Sequence, residues 1–293
     1  MSFRYCGQFV ALDNYKHFFE ECTPDILDEI RSAVMDDTDI SPYIDACGDD
    51  SYLLGQIRIA LREHIPSEFL DARLTGKTIY NIRKCFDNGR SAADLLWYIT
   101  PKALKVEKDV IELLSKFVLL GTNISRVDFT LVPKQLVPVF LKGLYKGFPM
   151  WLLVDDSSKL DIKSVQILMR GMELGIDIQP FSSGQWGRDA MLLLFSYAKA
   201  CDINMILSYI NNKFNIHQIK VLLDLASAGV PIQRLCVKDS SGAPVYTNFQ
   251  MYELGESLRN GVDISAMFSP KLSDFEMAKM REAALAERAA QTN

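Results

Sequence analysis

The chain has 293 residues, of which 48% are hydrophobic and 24% charged, a composition typical of a folded protein rather than a disordered one. Its formal net charge of −5 argues against a dedicated nucleic-acid binder, because neutralising phosphates needs a basic excess over the whole domain. The most apolar region, residues 136–154, is interrupted by proline and lysine, so no membrane span is predicted, and residues 1–10 contain no apolar run long enough to predict a signal peptide. We expect a cytoplasmic protein.

Cysteine and histidine are too scattered to indicate a metal site. The six cysteines form no CxxC pair, and the three histidines stand far apart in the chain. The sequence therefore predicts neither a zinc site nor a disulfide framework, and no cofactor. Reduced thiols, several of them serving as small core residues, are the expected state.

Residues 1–22 are irregular and predict an N-terminal capping segment, after which one turn recurs along the chain. An early copy is Asp37-Thr38-Asp39-Ile40-Ser41, and the last is Gly261-Val262-Asp263-Ile264-Ser265. We call the first residue of each copy its marker. Markers follow one another at intervals of 25 to 32 residues, about 28 on average, and such a period indicates stacked structural units. The nine markers are Asp37, His64, Gly89, Gly121, Gly147, Gly175, Ala200, Gly229 and Gly261.

Each marker is preceded by the pattern of an amphipathic helix. Apolar residues stand ten, seven and three positions before it, as Leu54, Ile57 and Leu61 do before His64. Steps of three and four place such residues on one helix face, so one long helix is predicted in each unit. A glycine marker ends that helix, because glycine adopts the left-handed backbone conformation without steric cost.

The residues after each marker predict a second, shorter helix. Two positions on, every unit has Asp, Asn, Ser or Pro, which are typical of a helix start. The start of a long helix is indicated by capping-box spacing in two places, Thr247 with Gln250 and Ser273 with Glu276. The helix that follows Ser273, residues 274–290, lacks the turn and is predicted to be a C-terminal cap.

The predicted fold class is therefore all-α. About nine degenerate helix-turn-helix repeats of ~28 residues would stack into an α-solenoid over residues 23–293, with no internal domain boundary. Each helical pair would bury its apolar stripe only against its neighbours, which leaves a long open surface.

Two resemblances follow from these motifs. The segments 250–254 and 260–265, followed by Glu276-Met277, resemble short helical repeats in uncharacterised proteins of Gram-positive bacteria and their mobile elements, a likeness that implies repeats and no established activity. The Gly261-Val262-Asp263-Ile264 turn resembles the end of an ankyrin repeat. The chain lacks the Thr-Pro-Leu-His helix opening of ankyrins, so its design is ankyrin-like only.

Four residues are candidates for partner binding. Arg31, Arg58 and Arg83 occupy one column, six positions before the marker, and are expected to form a ladder that contacts an acidic or phosphate-bearing partner. The alternative is pairing with acidic neighbours such as Asp28 or Glu63. Trp186 is the tryptophan predicted to be exposed, whereas Trp97 and Trp151 are expected to fill the core.

No catalytic pattern emerges. Gly76-Lys77-Thr78 looks like the end of a phosphate-binding loop, but Asp71 stands where the loop needs its first glycine. We therefore predict no enzyme but a repeat scaffold or adaptor that binds another protein and no membrane. The alternatives are an inhibitor or effector from a mobile element that occludes a host enzyme, and a nucleic-acid-binding solenoid, which the charge makes a weaker candidate.

Overall fold

The computed structural model describes residues 12–100, 102–265 and 269–292. Over these ranges the chain forms twelve α-helices and no β-strand, so the predicted all-α class is confirmed. The only strand-like pairings there are two isolated antiparallel bridges, Ile99 with Leu104 and Lys238 with Pro244. Within the same ranges no helix has the length and apolar character needed to cross a membrane.

The chain divides into two compact units between Asp155 and Asp156. The sequence predicts no boundary at this position, and one continuous array across it stays a prediction. The first unit contains α1 (Pro24–Met35), α2 (Ser41–Cys47), α3 (Ser51–Arg62), α4 (Gly76–Asp87), α5 (Lys108–Leu119) and α6 (Val137–Tyr145). The second contains α7 (Ile162–Glu173), α8 (Arg188–Ser196), α9 (Ile203–Tyr209), α10 (Ile216–Ser227), α11 (Asn248–Arg259) and α12 (Asp274–Thr292).

Within each unit the long helices pack in chain order. In the first unit α1 contacts α3, and α3, α4, α5 and α6 follow one another. In the second unit α7 contacts α8, α8 contacts α10, and α11 and α12 continue the series. Each long helix thus has the preceding and the following long helix of its unit as neighbours.

The turn that ends the long helices has one geometry at eight of the nine markers. The marker has a positive φ, and the next N–H donates to the carbonyl four residues before the marker, as Thr122 does to Phe117 after Gly121 at 2.9 Å. This is the Schellman motif, the usual glycine-based end of a helix. Asp37 (φ 53°) and His64 (φ 57°) are the only non-glycine residues of the described chain with positive φ.

Ala200 is the exception. The predicted repeat that ends at Ala200 is also shifted by one residue from the observed helix. The buried residues of α8 are Met191, Leu194 and Phe195, and the first two lie one position later than the predicted Ala190 and Leu193. Without a glycine at the marker, nothing in the sequence fixed the alignment there. The helix ends instead with the N–H groups of Ala200 and Cys201 both donating to the Tyr197 carbonyl.

The predicted apolar stripe is correct at two columns and wrong at the third. Residues ten and seven positions before the marker are almost all buried, whereas those three before are half-buried or exposed, apart from Val118. The third buried column lies four positions before the marker and holds mostly small residues. A Cβ added at Gly143 would lie 2.3 Å from the Met150 sulfur, and one at Gly171 2.8 Å from the Phe195 ring. Small residues let the following segment pass close to the helix.

Among the described residues, the second helix of the predicted repeats is shorter than expected. It is α-helical only in α2 and α9, and five other repeats have a 3-10 turn at this place, to which one of them adds a second at residues 157–159. In two of these turns the residue two positions after the marker has a side chain that accepts from the N–H two residues further on, as Asp177 does from Gln179 at 3.0 Å and Ser91 does in the same way. In the other three, proline stands at that position. The five 3-10 turns are 67–69, 93–97, 150–153, 179–181 and 232–234.

Candidate functional site

The three arginines of the predicted ladder have different surroundings. Arg31 is exposed and pairs with Asp28 at 2.7 Å. Arg58 is largely covered, and its guanidinium binds Glu29 at 2.8 Å and also Asp36. Arg31 alone of the three is largely exposed, and contact of the predicted ladder with a partner stays a prediction.

Arg83 lies inside the fold rather than on its surface. Its side chain is only 7% exposed and binds Glu63 at 2.6 and 2.7 Å and Gln56 at 2.7 Å. Pairing with acidic neighbours, the alternative predicted from the sequence, is therefore confirmed for Arg31 with Asp28 and for Arg83 with Glu63. The contacts of Arg83 join α4 to α3, so this arginine holds two helices together inside the fold.

The exposure of the three tryptophans is the reverse of the prediction. Trp186 is 8% exposed, and its ring centroid lies 5.1 Å from that of Phe181 in the core of the second unit. The loop turns inward there because Gly184 adopts a φ of 70°. Trp97 and Trp151, expected in the core, are 57% and 37% exposed and both belong to the first unit.

Trp97 is held outward by its buried neighbour Tyr98. The Tyr98 hydroxyl donates to the Val127 carbonyl at 3.0 Å and accepts from the Phe129 N–H at 3.3 Å. Burial raises the pKa of Tyr98, so its hydroxyl keeps the proton that it donates. Trp97 ends the 3-10 turn Ala93–Trp97 and cannot share the pocket that Tyr98 fills.

A short hairpin brings a lysine onto the Trp97 ring. The Lys105 N–H donates to the Tyr98 carbonyl at 3.0 Å, and the Ile99–Leu104 bridge closes the hairpin. The Lys105 ammonium then lies 3.0 Å from the Trp97 ring centroid, within the range of a cation–π interaction. Arg73 secures the hairpin from the preceding loop by donating to the Thr100 carbonyl at 2.6 Å.

A second tryptophan–cation pair lies further along the same unit. Trp151 follows Met150, which is fully buried beside Gly143, so the indole stays at the surface. The guanidinium carbon of Arg126 lies 4.8 Å from the Trp151 ring centroid. Arg126 precedes Val127, whose carbonyl accepts the Tyr98 hydroxyl, so Trp97 and Arg126 flank one hydrogen bond. We call Trp97, Lys105, Arg126 and Trp151 the Trp–cation surface.

The charge of the first unit is divided along the chain. Residues 1–70 contain 14 Asp and Glu against 5 Lys and Arg, a net charge of −9. Residues 71–154 contain 13 Lys and Arg against 7 Asp and Glu, a net charge of +6, within a protein whose total is −5. The Trp–cation surface belongs entirely to the basic part. The division can be read from the sequence, and a charge count over windows would have indicated this surface where the search for repeated columns did not.

The thiols show no sign of activation. Among the residues that the structure describes, five cysteines are present and none forms a disulfide. Burial raises the pKa of Cys47 to about 11 and that of Cys236 to about 12, so both stay protonated at neutral pH. In the same part of the chain no three His, Cys, Asp or Glu side chains are grouped as metal ligands would be.

Comparison of the chain with models of protein families, with curated proteins and with solved structures finds no match. The resemblances drawn from the sequence therefore stay expectations. Function has to be inferred from the geometry of the surface itself.

Proposed function

We propose that this chain is a helical-repeat scaffold or adaptor that acts in the cytoplasm and binds another protein through the Trp–cation surface without catalysis. Stacked repeats are supported by hydrogen bonds that join residues one repeat apart. Arg83 reaches back 27 residues to Gln56, and Tyr98 reaches forward 29 to Val127. In the second unit Asn211 donates to the Gly242 carbonyl, 31 residues on, at 2.8 Å.

The observation that carries the binding proposal is the exposure of Trp97 and Trp151. Burying an indole is strongly favourable, and tryptophan and arginine are enriched among the residues that dominate protein interfaces. Both rings are held by covered neighbours on short connecting segments, so they need no rearrangement before they meet a partner. A surface prepared in this way favours binding over a role in packing.

Affinity capture from the native cell tests the proposal. Three baits are compared: the wild-type chain, W97A/W151A, and the control F249A/Y252A, which removes two exposed aromatic side chains from the second unit. We expect a protein that the wild-type and control baits retain and W97A/W151A loses. The captured protein is then purified and its affinity measured directly, with a loss of about tenfold or more expected for W97A/W151A.

Other results would redirect the proposal. A captured enzyme whose activity falls on addition of the chain would favour the inhibitor from a mobile element. Capture of nucleic acid with a steep salt dependence would favour the nucleic-acid-binding solenoid. Turnover of a small molecule by the pure chain, abolished by one substitution, would contradict a non-catalytic scaffold.

A further inference from the structure

We infer that the Trp–cation surface takes an acidic segment of the partner protein, one in which Asp or Glu residues stand beside apolar side chains. This inference rests on the proposed function and adds the chemistry of the partner. It is carried by the local charge, by the pairing of each indole with a cation, and by the ion pairs that surround them.

The two cations of this surface and the neighbouring Lys108 have no carboxylate partner in the part of the chain that the structure describes. Within the described ranges Lys105, Lys108 and Arg126 are exposed and lie in no ion pair. The nearby carboxylates Glu107 and Asp109 are instead both bound by Lys134, at 2.5 and 2.7 Å.

The Lys134 ammonium lowers the pKa of Asp109, so that carboxylate remains charged and paired. Arg73 and Asp71 form another closed pair at the edge of the hairpin. Of the other carboxylates on these segments, Asp128 is engaged by the N–H and hydroxyl of Thr130, Glu112 accepts from the Thr75 hydroxyl at 2.7 Å, and Asp94 is exposed.

The lysines line an open depression beside the hairpin. Its walls contain the apolar side chains of Leu104 and Val106, the cations Arg73, Lys105 and Lys108, and the two carboxylates that Lys134 binds, Glu107 and Asp109. Trp97 lies against Lys105 at its edge. An acidic chain with apolar side chains matches both components, because its carboxylates meet Lys105 and Lys108 while its apolar groups cover the indole.

The charge of the whole unit favours a short acidic segment over a nucleic acid. The basic part carries +6, but residues 1–70 of the same unit carry −9 and repel an extended polyphosphate. A peptide of about 12 residues spans roughly 40 Å when extended, enough to cross several adjacent segments of the stack. The carboxylates of a peptide of this length contact only the basic part of the unit.

The test uses the full chain and a fluorescein-labelled peptide of about 12 residues, rich in Asp and Glu and containing Leu and Phe, with binding followed by anisotropy. We expect saturable binding that weakens as salt rises, because exposed charges are screened. K105E/R126E should lose about tenfold or more in affinity. The matched control K116E/K142E makes the same charge change at exposed lysines of α5 and α6 and should lose about twofold or less.

Three outcomes would overturn the inference: no saturable binding by the wild-type chain, an equal loss in the control, or tighter binding of an oligothymidylate that competes at the same residues. A fourth is self-association of the wild-type chain through this surface in sedimentation velocity. Circular dichroism of each variant verifies that the fold is kept. If a captured protein binds the Trp–cation surface through a segment without acidic residues, the proposed function stands and this inference fails.

Discussion

The side-chain amide of Gln218 donates to the Tyr246 carbonyl at 2.8 Å, and this one contact joins the start of α10 to the start of α11. The same glutamine accepts from the Asn215 N–H as part of a capping box. Gln250 repeats the arrangement one unit later, with a capping box to Thr247 and a donated bond to the Leu272 carbonyl at 2.9 Å. Both glutamines are buried, and each one hydrogen-bonds the start of its own helix and the segment that leads into the next helix.

Replacing Gln250 by alanine is expected to destabilise the chain by about 1–3 kcal/mol, because it removes two part-buried hydrogen bonds of about 0.5–1.5 kcal/mol each. The control Q166A alters an exposed glutamine of α7 and should change stability by less than about 0.5 kcal/mol. Urea unfolding of both variants measures the difference. Equal stability of Q250A and wild type would show that the contact contributes nothing.

The two arginines at the ends of the predicted ladder should respond differently to truncation. R83A removes a buried side chain together with its bonds to the part-exposed Glu63 and to Gln56, and we expect a loss of about 1–2 kcal/mol. R31A removes an exposed pair with Asp28 and should cost less than about 0.5 kcal/mol. Thermal and urea unfolding compare the two variants. A loss in R31A as large as that in R83A would contradict the internal role of Arg83.

At two markers, Asp37 and His64, the backbone has a positive φ that favours glycine, but another residue stands there. His64 has a φ of 57°, and H64G is expected to stabilise the chain by about 0.5–1 kcal/mol, since glycine adopts this conformation without strain. G89A makes the opposite change at a φ of 63°, where an added Cβ meets nothing within 4 Å, so any loss comes from the backbone alone. We expect about 1 kcal/mol of destabilisation, measured in urea. A stabilised G89A would exclude the strain argument.

The buried Cys236 thiol gives a prediction for pH. Its folded pKa of about 12 lies above the ordinary thiol value, because burial disfavours the thiolate. The protonated form favours folding, so this contribution is fully present below the unfolded pKa of about 8.5 and is lost as pH rises toward 12. At pH 8, iodoacetamide should modify Cys236 far more slowly than the partly exposed Cys22, as peptide mass spectrometry would show. Equal rates would contradict the burial.

Local signals predicted the elements of this fold well. The Schellman ends at glycine markers, the two capping boxes at Thr247 and Ser273, and the buried columns ten and seven before the marker depend on neighbouring residues and could be read directly. The capping box of Asn215 with Gln218 had the same spacing and was missed.

The candidate site depended on longer-range packing, and there the sequence was a poor guide. Which tryptophan is buried depends on its neighbours in space. Tyr98 fills the place beside Val127, so Trp97 is left exposed, whereas Trp186 packs on Phe181. Arg83 was placed in a surface ladder because one column was assumed to have one environment, whereas the alternative partner named from the sequence, Glu63, is the carboxylate that binds it. Spacing alone does not decide between these two environments.

Two hairpins, one closed by the Ile99–Leu104 bridge and the other by the Lys238–Pro244 bridge, lie in the two longest intervals between markers, 32 residues each. Each hairpin returns the chain to where it left, and a cation of the preceding loop, Arg73 or Lys213, binds a carbonyl of the hairpin. Length added at such a point leaves the neighbouring helices in place. The tip at Ser240 and Ser241 is therefore a natural position for grafting a reporter peptide, and over generations it is where this architecture can acquire new surface without redesigning its core.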